Sequence, residues 1–347
     1  MLRLLGVAVL SALLLGVVGC RQQGTAPSGG ATGETAATSA VSCDRSCLVG
    51  IMKDYLAALV RHDPNAVPLA GDVKFTENTT EIPVGDGLWV TASSGPTDYQ
   101  VYAADPTTGQ VEGLVMMKEN GVKDILVSVR LKLVNGKIAE AEHLVVRDEF
   151  PPNQLAMLKM PRPGLLEDLA SGDKTPRNAM LKAGEDYYVA LTGEDGALAP
   201  FAADCERHEN GMVTAGPGDN QTPIPIGNPD SATPATMASM AIIAKMPRNC
   251  EGQLSAGAFE YITDIKNRRV LIADEQKGLV VGYSMFWHRG GIRDTPVKGV
   301  PGVKSMPAFA DTFNLPAVHI FKVRQGKIHE IEAIGFMVPY GLKSGWE

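Results

Sequence analysis

Hydrophobic and polar positions alternate with two different periods along this chain of 347 residues. Apolar residues recur at steps of three and four near the start of the folded part, as on a helix with one buried face: Leu48, Ile51, Met52, Tyr55, Leu56 and Leu59. The same spacing predicts a second helix from about Asn178 to Leu191. Each helix is followed by a short connection with proline and then by a predicted strand, VKFTE or DCERHE.

A period of two dominates residues 113–146, where apolar and polar residues alternate over several stretches. The pairs Asn120-Gly121 and Asn135-Gly136 interrupt this alternation and are typical of tight hairpin turns. A helix followed by several antiparallel strands predicts the α+β class, with a curved antiparallel sheet wrapped around an N-terminal helix.

The pattern occurs twice in the chain. Tyr55 and Glu77 are 22 residues apart, and Tyr187 and Glu209 have the same separation. An asparagine follows the glutamate in both places. A spacing repeated in this way indicates an internal repeat, in which one fold demands a helix residue and a strand end at matching places.

Two further alignments extend the repeat. Residues 101–117 align with 270–286, and this alignment matches Asp105 to Asp274, Gly113 to Gly282 and Met116 to Met285. The last hairpin, 131–142, aligns with 321–332. The distance between matching positions grows along the chain, so the second copy must carry insertions. We place them at 211–249 and 289–309, where the composition is typical of loops.

The first 20 residues have one early arginine, an apolar run of about 15 residues and small residues before Cys20. This arrangement predicts a secretory signal, and the ending VVGC resembles a bacterial lipobox. The lipobox resemblance implies cleavage before Cys20, lipidation of its sulfur by acyl chains such as palmitate, and an exported protein held at the bacterial cell envelope, on the periplasmic or outer-membrane face. The alternative is an ordinary signal peptide that is cut elsewhere.

The chain therefore divides into segments of different character. We predict a signal peptide, a disordered tether of small and polar residues, a first domain, a linker and a second domain, with these limits: 1–20, 21–42, 43–150, 151–174 and 175–347. The 44% hydrophobic and 20% charged residues suit a globular chain. A net charge of −7 without a basic run argues against a nucleic-acid partner.

Four cysteines remain after the predicted signal peptide. Export to an oxidising compartment favours disulfides, pairing Cys43 with Cys47 and Cys205 with Cys250. The alternative for CDRSC is half of a zinc site, but no second half with metal spacing is present in the sequence. The six histidines are scattered, so we expect no metal and no cofactor.

The segments PLAGDVKFTEN (68–78) and PFAADCERHEN (200–210), with the tyrosine-bearing helices and the final GKI hairpins, carry a resemblance to a known superfamily. They resemble the SnoaL-like, ketosteroid-isomerase-like cone, also called nuclear transport factor 2-like. The resemblance covers both units and implies two cone domains. It implies less about function, because this fold carries enzymes, binding modules and association domains.

The resemblance also implies a reading of the repeated pair. In ketosteroid isomerases, a helix tyrosine donates a hydrogen bond to the developing oxyanion and a carboxylate moves the proton. Tyr55 and Glu77, and equally Tyr187 and Glu209, fall on these positions. The isomerases' second acid has no counterpart, since its place falls near 128–129 and 318–319, where His319 could act as the donor instead.

The candidate residues have ordinary structural alternatives. Glu77 shares a strand face with Val73 and Phe75, so it either lines a pocket or makes a structural hydrogen bond to nearby backbone or to Arg147. Arg207 could pair with Glu209 and remove it from acid–base work. We name as catalytic candidates Tyr55, Glu77 and His143, and as ligand-binding candidates Asn78, Trp89, Tyr187, His208, Glu209, Trp287 and His288.

Two hypotheses of function follow. The first is an exported, lipid-anchored protein whose two cones form an intramolecular pseudo-dimer and bind a small hydrophobic or polyhydroxylated molecule, chiefly in the first cone. It could carry cofactor-independent lyase, dehydratase or isomerase activity. The second is a non-catalytic binding or scaffolding lipoprotein of the envelope. The surroundings of Glu77 separate them, because a carboxylate in an open cavity favours chemistry and one held by an arginine favours scaffolding.

Overall fold

The computed structural model describes residues 43–217, 242, 245–257, 259–291, 294–307 and 311–347. The predicted signal peptide, the lipidation site Cys20 and the tether lie outside the described residues. Residues Val41–Glu347 form one compact unit. No helix in the described ranges has the length and apolar character that crossing a membrane requires.

The first sheet follows helix α1, Arg45–Val60. Its strands are β1 Leu69–Glu77, β2 Thr80–Glu81, β3 Ala92–Ser94, β4 Gln100–Asp105, β5 Gln110–Glu119, β6 Lys123–Val134 and β7 Lys137–Val146. The order is β2-β1-β7-β6-β5-β3, and β4 also pairs with β5. All neighbours are antiparallel except β1 and β7, which run parallel. The short helix α2, Leu88–Thr91, lies between β2 and β3.

The connection to the second sheet contains the short helices α3, Pro152–Met157, and α4, Pro163–Leu166. Helix α5, Arg177–Gly193, then begins the second unit. Short 3-10 turns at Pro64–Ala66, Ser171–Asp173 and Gly196–Leu198 complete the connections around the two long helices.

The second sheet has the strands β8 Phe201–Glu209, β9 Met212–Ala215, β10 Asp264–Asp274, β11 Leu279–His288, β14 Phe313–Arg324, β15 Lys327–Gly335 and β16 Val338–Pro339. Its order is β10-β11-β14-β15-β8-β9, with β16 beside β14. Again only the first and last long strands, β8 and β15, pair in parallel. The predicted α+β class, with a curved antiparallel sheet over a helix in each half, is confirmed.

The two insertions contain more than loops. The stretch that we assigned to the first insertion, 211–249, includes β9, which pairs with β8. The helix α6, Cys250–Ser255, begins at the next residue. The second insertion holds a separate hairpin of β12, Asp294–Pro296, and β13, Ser305–Pro307. The expectation of loop structure throughout was wrong there, because short β-strands with proline and glycine nearby have the composition of turns.

Three large hydrophobic clusters hold the fold together. One fills the first sheet around α1, and another fills the second sheet around α5. The third joins residues of both sheets, such as Val101 and Leu126 from the first with Ile272 and Ile320 from the second. The outer faces of the two sheets therefore pack against each other, while each helix lies against the inner face of its own sheet.

Candidate functional site

Tyr55 and His143 meet at the centre of the first sheet. The Tyr55 hydroxyl lies 2.9 Å from Nε2 of His143, and both side chains are fully buried. Trp89 packs edge-on against Tyr55 at 5.1 Å between ring centroids, and Phe75 packs against His143 at 4.8 Å. These four rings occupy the position where the sequence predicted an open pocket.

Burial also makes this centre electrically neutral. It raises the pKa of Tyr55 well above its ordinary value. Burial, with a smaller contribution from the charge of Arg147, lowers the pKa of His143 to about 3. A neutral imidazole and a neutral phenol share one hydrogen bond here, which is the expected state of two polar groups inside a filled core.

Glu77 is held by structural partners. Its Oε1 accepts a hydrogen bond of 2.7 Å from Nη2 of Arg147, and its Oε2 accepts one of 2.6 Å from the backbone N–H of Leu88. Arg147 also binds Glu119 through Nε at 2.9 Å. The glutamate therefore fixes the start of α2, and both structural alternatives stated for it, backbone and Arg147, describe what the structure shows.

The asparagine after each glutamate has a backbone role. Asn78 and Asn210 have φ of 60° and 49°, the left-handed conformation that asparagine tolerates better than most residues. The side-chain oxygen of Asn78 accepts from the N–H of Val145 at 2.8 Å. That of Asn210 accepts in the same way from Gly335 at 3.1 Å. The repeated Glu-Asn pair thus ends the first strand and attaches it to the last.

The second sheet encloses a cavity of about 140 Å³. Tyr187, Glu209 and His288, all candidates from the sequence, line it together with His319 and Arg207. Further lining comes from aromatic and aliphatic side chains, including Phe259, Tyr261, Ile262, Phe286 and Leu315. A cavity therefore lies inside the second sheet, whereas four rings fill the matching centre of the first sheet.

Strand register shows where the interior of the second sheet differs from that of the first. Glu77 pairs with His143 across β1 and β7, and Glu209 pairs with Ala333 across β8 and β15. Starting from these two pairs, each residue pair between β14 and β15 corresponds to one pair between β6 and β7. Three positions that are large in the first sheet are small in the second: Val127, His143 and Val145 become Ala317, Ala333 and Gly335. A fourth position changes the other way, since Val129 becomes the larger His319. Leu315 occupies the space at Gly335, so the room lies beside Ala317 and Ala333.

A charged pair forms one wall of the cavity. Nε of Arg207 lies 3.0 Å from Oε1 of Glu209, and Arg207 is buried while the Glu209 side chain is 44% exposed. Nε also donates to Oγ1 of Thr214 at 2.9 Å, and Nη2 donates to Oε1 of Gln253 on α6. Arg207 is therefore paired as the sequence suggested, but Glu209 keeps an open side.

The other polar groups of the cavity are neutral. Burial raises the pKa of Tyr187 to about 12, with the nearby charge of Arg207 opposing the shift. It lowers the pKa of His319 to about 3 and that of His288 to about 4. The Nδ1 of His319 lies 3.2 Å from the Tyr188 hydroxyl. Two neutral imidazoles and the phenols of Tyr187 and Tyr261 thus surround one compensated ion pair.

A disulfide anchors the part of the second copy that covers this cavity. The disulfide Cys205–Cys250 joins β8 to α6, and Cys43–Cys47 closes the start of α1, so both predicted pairings are confirmed. Phe259 and Tyr261 follow α6 and line the cavity. The disulfide holds this covering segment, residues 250–257 and 259–262, against the strand that carries Arg207 and Glu209.

Two candidates lie away from the cavity lining. His208 is buried on the other face of β8, with its Nε2 2.5 Å from Oε1 of Glu206. Trp287 packs edge-on against Tyr340 at 5.2 Å and lies under Nζ of Lys266. Among the described residues, no group of three or more His, Cys, Asp or Glu side chains could hold a metal ion.

The small residues Ala317, Ala333 and Gly335 were not among the sequence candidates. The signal was present, since the alignment of 131–142 with 321–332, continued without a gap, matches His143 to Ala333 and Val145 to Gly335. Searching for residues with functional groups misses positions whose contribution is the absence of a side chain.

Comparisons with known proteins give little beyond this geometry. The sequence model of one family, described as Domain of unknown function (DUF8021), matches residues 173–335, just under half of the chain. No curated protein matches. Among solved structures, AclR, a proposed hydroxylase from Streptomyces galilaeus, is 15% identical, with a TM-score of 0.25 over 34% of this chain and 89% of its own.

Two proposed polyketide cyclases are similar to a comparable extent. The protein from Silicibacter sp. TM1040 is 12% identical with a TM-score of 0.25, and that from Xanthomonas campestris pv. campestris is 19% identical with a TM-score of 0.24. Each match covers 46% of this chain and 90% of the other. At these TM-scores the likeness assigns no activity to this chain.

Proposed function

We propose that this protein binds a small molecule in the cavity of its second sheet. The observation that carries the proposal is the cavity beside Tyr187 and Glu209, where Ala317 and Ala333 are smaller than the residues at the matching positions of the first sheet. A concave site with apolar walls and a few convergent polar groups is the usual form of a ligand site.

The size of the cavity limits the ligand. At about 140 Å³ it is close to an engineered cavity of about 150 Å³ that binds benzene. Drug-sized ligands occupy roughly 300 Å³ or more. The part of the ligand held in the cavity is therefore about the size of one six-membered ring.

The first sheet serves in this proposal as the packing partner of the second, in an intramolecular pseudo-dimer. Support comes from matched contacts: Asp105 accepts from the N–H of Ala273, and Asp274 accepts from the N–H of Ala104, both at 3.1 Å. The filled centre around Tyr55 and His143 favours this supporting role.

A second candidate function is proton transfer without a cofactor, in a lyase, dehydratase or isomerase reaction. The observation that favours it is the exposed side of Glu209 in the same cavity as Tyr187. A carboxylate could remove a proton from a carbon acid while the phenol donates to the oxygen that becomes negative.

The location belongs to the same proposal. Lipidation at Cys20 would hold the protein at the cell envelope, on the periplasmic or outer-membrane face, and a binding or scaffolding role there needs no catalysis. The test is the intact mass of protein from the membrane fraction, compared with a Cys20→Ser variant. Loss of the lipid mass and of membrane association in the variant supports the anchor; no lipid mass in the wild type contradicts it.

The binding proposal is tested by a thermal-shift screen of small ring compounds with the purified protein. We expect hits that raise the melting temperature of the wild type and do so less in Ala333→His, which restores the bulk found in the first sheet. Ala317→Val provides a milder second variant. Equal shifts in wild type and both variants would place the ligand elsewhere and contradict the proposal.

A further inference from the structure

The charges that line the cavity cancel. Among the described lining residues, the acidic and basic side chains other than histidine are Glu209 and Arg207, and they form an ion pair at 3.0 Å. The imidazoles of His288 and His319 stay neutral, because burial depresses the pKa of both. An anionic ligand would meet the Glu209 carboxylate without a free cation to balance it.

The hydrogen-bonding groups are unequally occupied. Arg207 already donates to Thr214 and Gln253 and is paired with Glu209. Oε1 of Glu209 also lies 3.3 Å from Oγ1 of Thr214, whereas no hydrogen bond within the described ranges reaches Oε2 of Glu209. As far as the described residues show, the cavity therefore offers a carboxylate oxygen that accepts hydrogen bonds and calls for a donor on the ligand.

The remaining walls are largely aromatic. Tyr187, Phe259, Tyr261 and Phe286 line the cavity, and the rings of His288 and His319 add to them. Aromatic side chains favour edge-to-face or offset contacts with another ring, at centroid separations that a cavity of ring size allows. A flat ring uses these walls better than a branched aliphatic chain of the same volume.

We propose that the cavity selects an uncharged one-ring aromatic that carries a hydroxyl group, a ligand of the phenol class. Its hydroxyl donates to Oε2 of Glu209, and its ring packs among the aromatic side chains. The inference rests on the proposed binding function and adds the chemical class of the ligand. Aqueous phenol is neutral at pH 7, so the cavity takes it without separating a charge from a counterion.

The test is titration calorimetry at pH 7 with four probes of one ring each: phenol, benzoate, toluene and cyclohexanol. We expect phenol to bind about tenfold more tightly than toluene or benzoate, because a hydrogen bond to a charged acceptor contributes on that scale. Cyclohexanol keeps the hydroxyl but lacks the flat ring, and we expect it to bind more weakly than phenol.

Glu209→Gln separates a recognition role from a structural one. It removes the negative charge and leaves Arg207 uncompensated, so phenol should bind about tenfold more weakly while benzoate binds more tightly than in the wild type. A merely structural effect would weaken all four probes alike. Glu77→Gln, the matched substitution in the filled first sheet, should leave the four affinities unchanged.

The possible failures are distinct. If none of the four probes binds the wild type, the small-ring binding function itself is contradicted. If the probes bind and Ala333→His abolishes binding, but benzoate equals phenol or Glu209→Gln leaves their ratio unchanged, the binding function stands. In that case the phenol class is wrong.

Discussion

Asp105 and Asp274 make the same contact in opposite directions between the two sheets. Asp105 accepts from the N–H of Ala273 and is paired with Arg177 at 2.6 Å. Asp274 accepts from the N–H of Ala104 and is paired with Arg45 at 2.8 Å. Each arginine begins the long helix of its own unit. The two carboxylates thus tie each helix to the turn of the other sheet.

We expect Asp105→Asn and Asp274→Asn each to lower the free energy of unfolding by roughly 2 kcal/mol, because each leaves an arginine without its buried partner. Denaturant unfolding measures this. Asp204→Asn, whose carboxylate is more than half exposed, is the control and should change stability by less than about 0.5 kcal/mol. Equal effects at all three sites would contradict the importance of the reciprocal contact.

Glu77→Gln should destabilise the protein without affecting ligand binding. The variant weakens the pairing with Arg147 and the contact to the start of α2, at a cost of about 1–3 kcal/mol. Thermal unfolding with and without ligand checks it. If Glu77→Gln changes the ligand affinity as much as Glu209→Gln does, the first sheet is again a candidate binding site.

His143→Ala should be among the most destabilising single changes. It removes a fully buried ring that fills the first sheet and leaves the Tyr55 hydroxyl without its partner, so we expect a loss of about 3–5 kcal/mol. His329→Ala, in a histidine that is 16% exposed and paired with the exposed carboxylate of Asp204, should cost less. Similar losses for both would show that the centre of the first sheet is not tightly filled.

Glu112 should make stability fall as pH rises. It is fully buried between Ser128 and Tyr283, with Arg130 and Glu142 near, and burial raises its pKa to about 8. The unfolded chain ionises this group from about pH 4.5, whereas the folded protein keeps the proton until about pH 8. Between these pH values, ionisation of Glu112 stabilises the unfolded state relative to the folded one. The free energy of unfolding therefore falls by up to about 1.4 kcal/mol per pH unit.

Unfolding free energies across this window check the effect. Glu112→Gln should flatten the contribution of this group, so that the variant becomes relatively more stable as pH rises from 5 to 8. A wild type and a variant that keep a constant difference would show that Glu112 is already ionised in the folded protein.

The two disulfides should contribute different amounts to the free energy of unfolding. In the chain-entropy picture, the 45-residue separation of Cys205 and Cys250 corresponds to about 4 kcal/mol, against about 2 kcal/mol for the separation of 4 between Cys43 and Cys47. Paired serine substitutions, compared by denaturant unfolding, measure both. If replacing Cys205 and Cys250 by serine lowers the free energy of unfolding by less than replacing Cys43 and Cys47, the covering segment is held mainly by its packing.

Much of the fold followed from local pattern. The helices predicted at 48–59 and near Asn178–Leu191 lie within α1 and α5, and the turns at Asn120-Gly121 and Asn135-Gly136 connect the strands as expected. These features depend on neighbours in sequence. The strand β9 was not predicted, because we interpreted the Asn210-Gly211 turn as the start of a loop rather than of a hairpin.

The site was harder to predict because it depends on distant neighbours. Glu77 meets Arg147 from 70 residues away, and whether it faced a pocket or an arginine could be stated only as alternatives. The open sheet could be identified only by comparing volumes at registered positions such as His143 and Ala333. Spacing indicates which residues are equivalent, but not which copy has room beside them.

The filled first sheet also bears on what the second can tolerate. Side chains around a cavity of about 140 Å³ lack packing contacts on one side, which lowers the stability of the second sheet. The two sheets share one hydrophobic cluster, so we expect them to unfold together. The packing of the first sheet then also stabilises the second. One copy can thus act as a stability reserve, leaving the other free to vary its interior as ligands change over evolution.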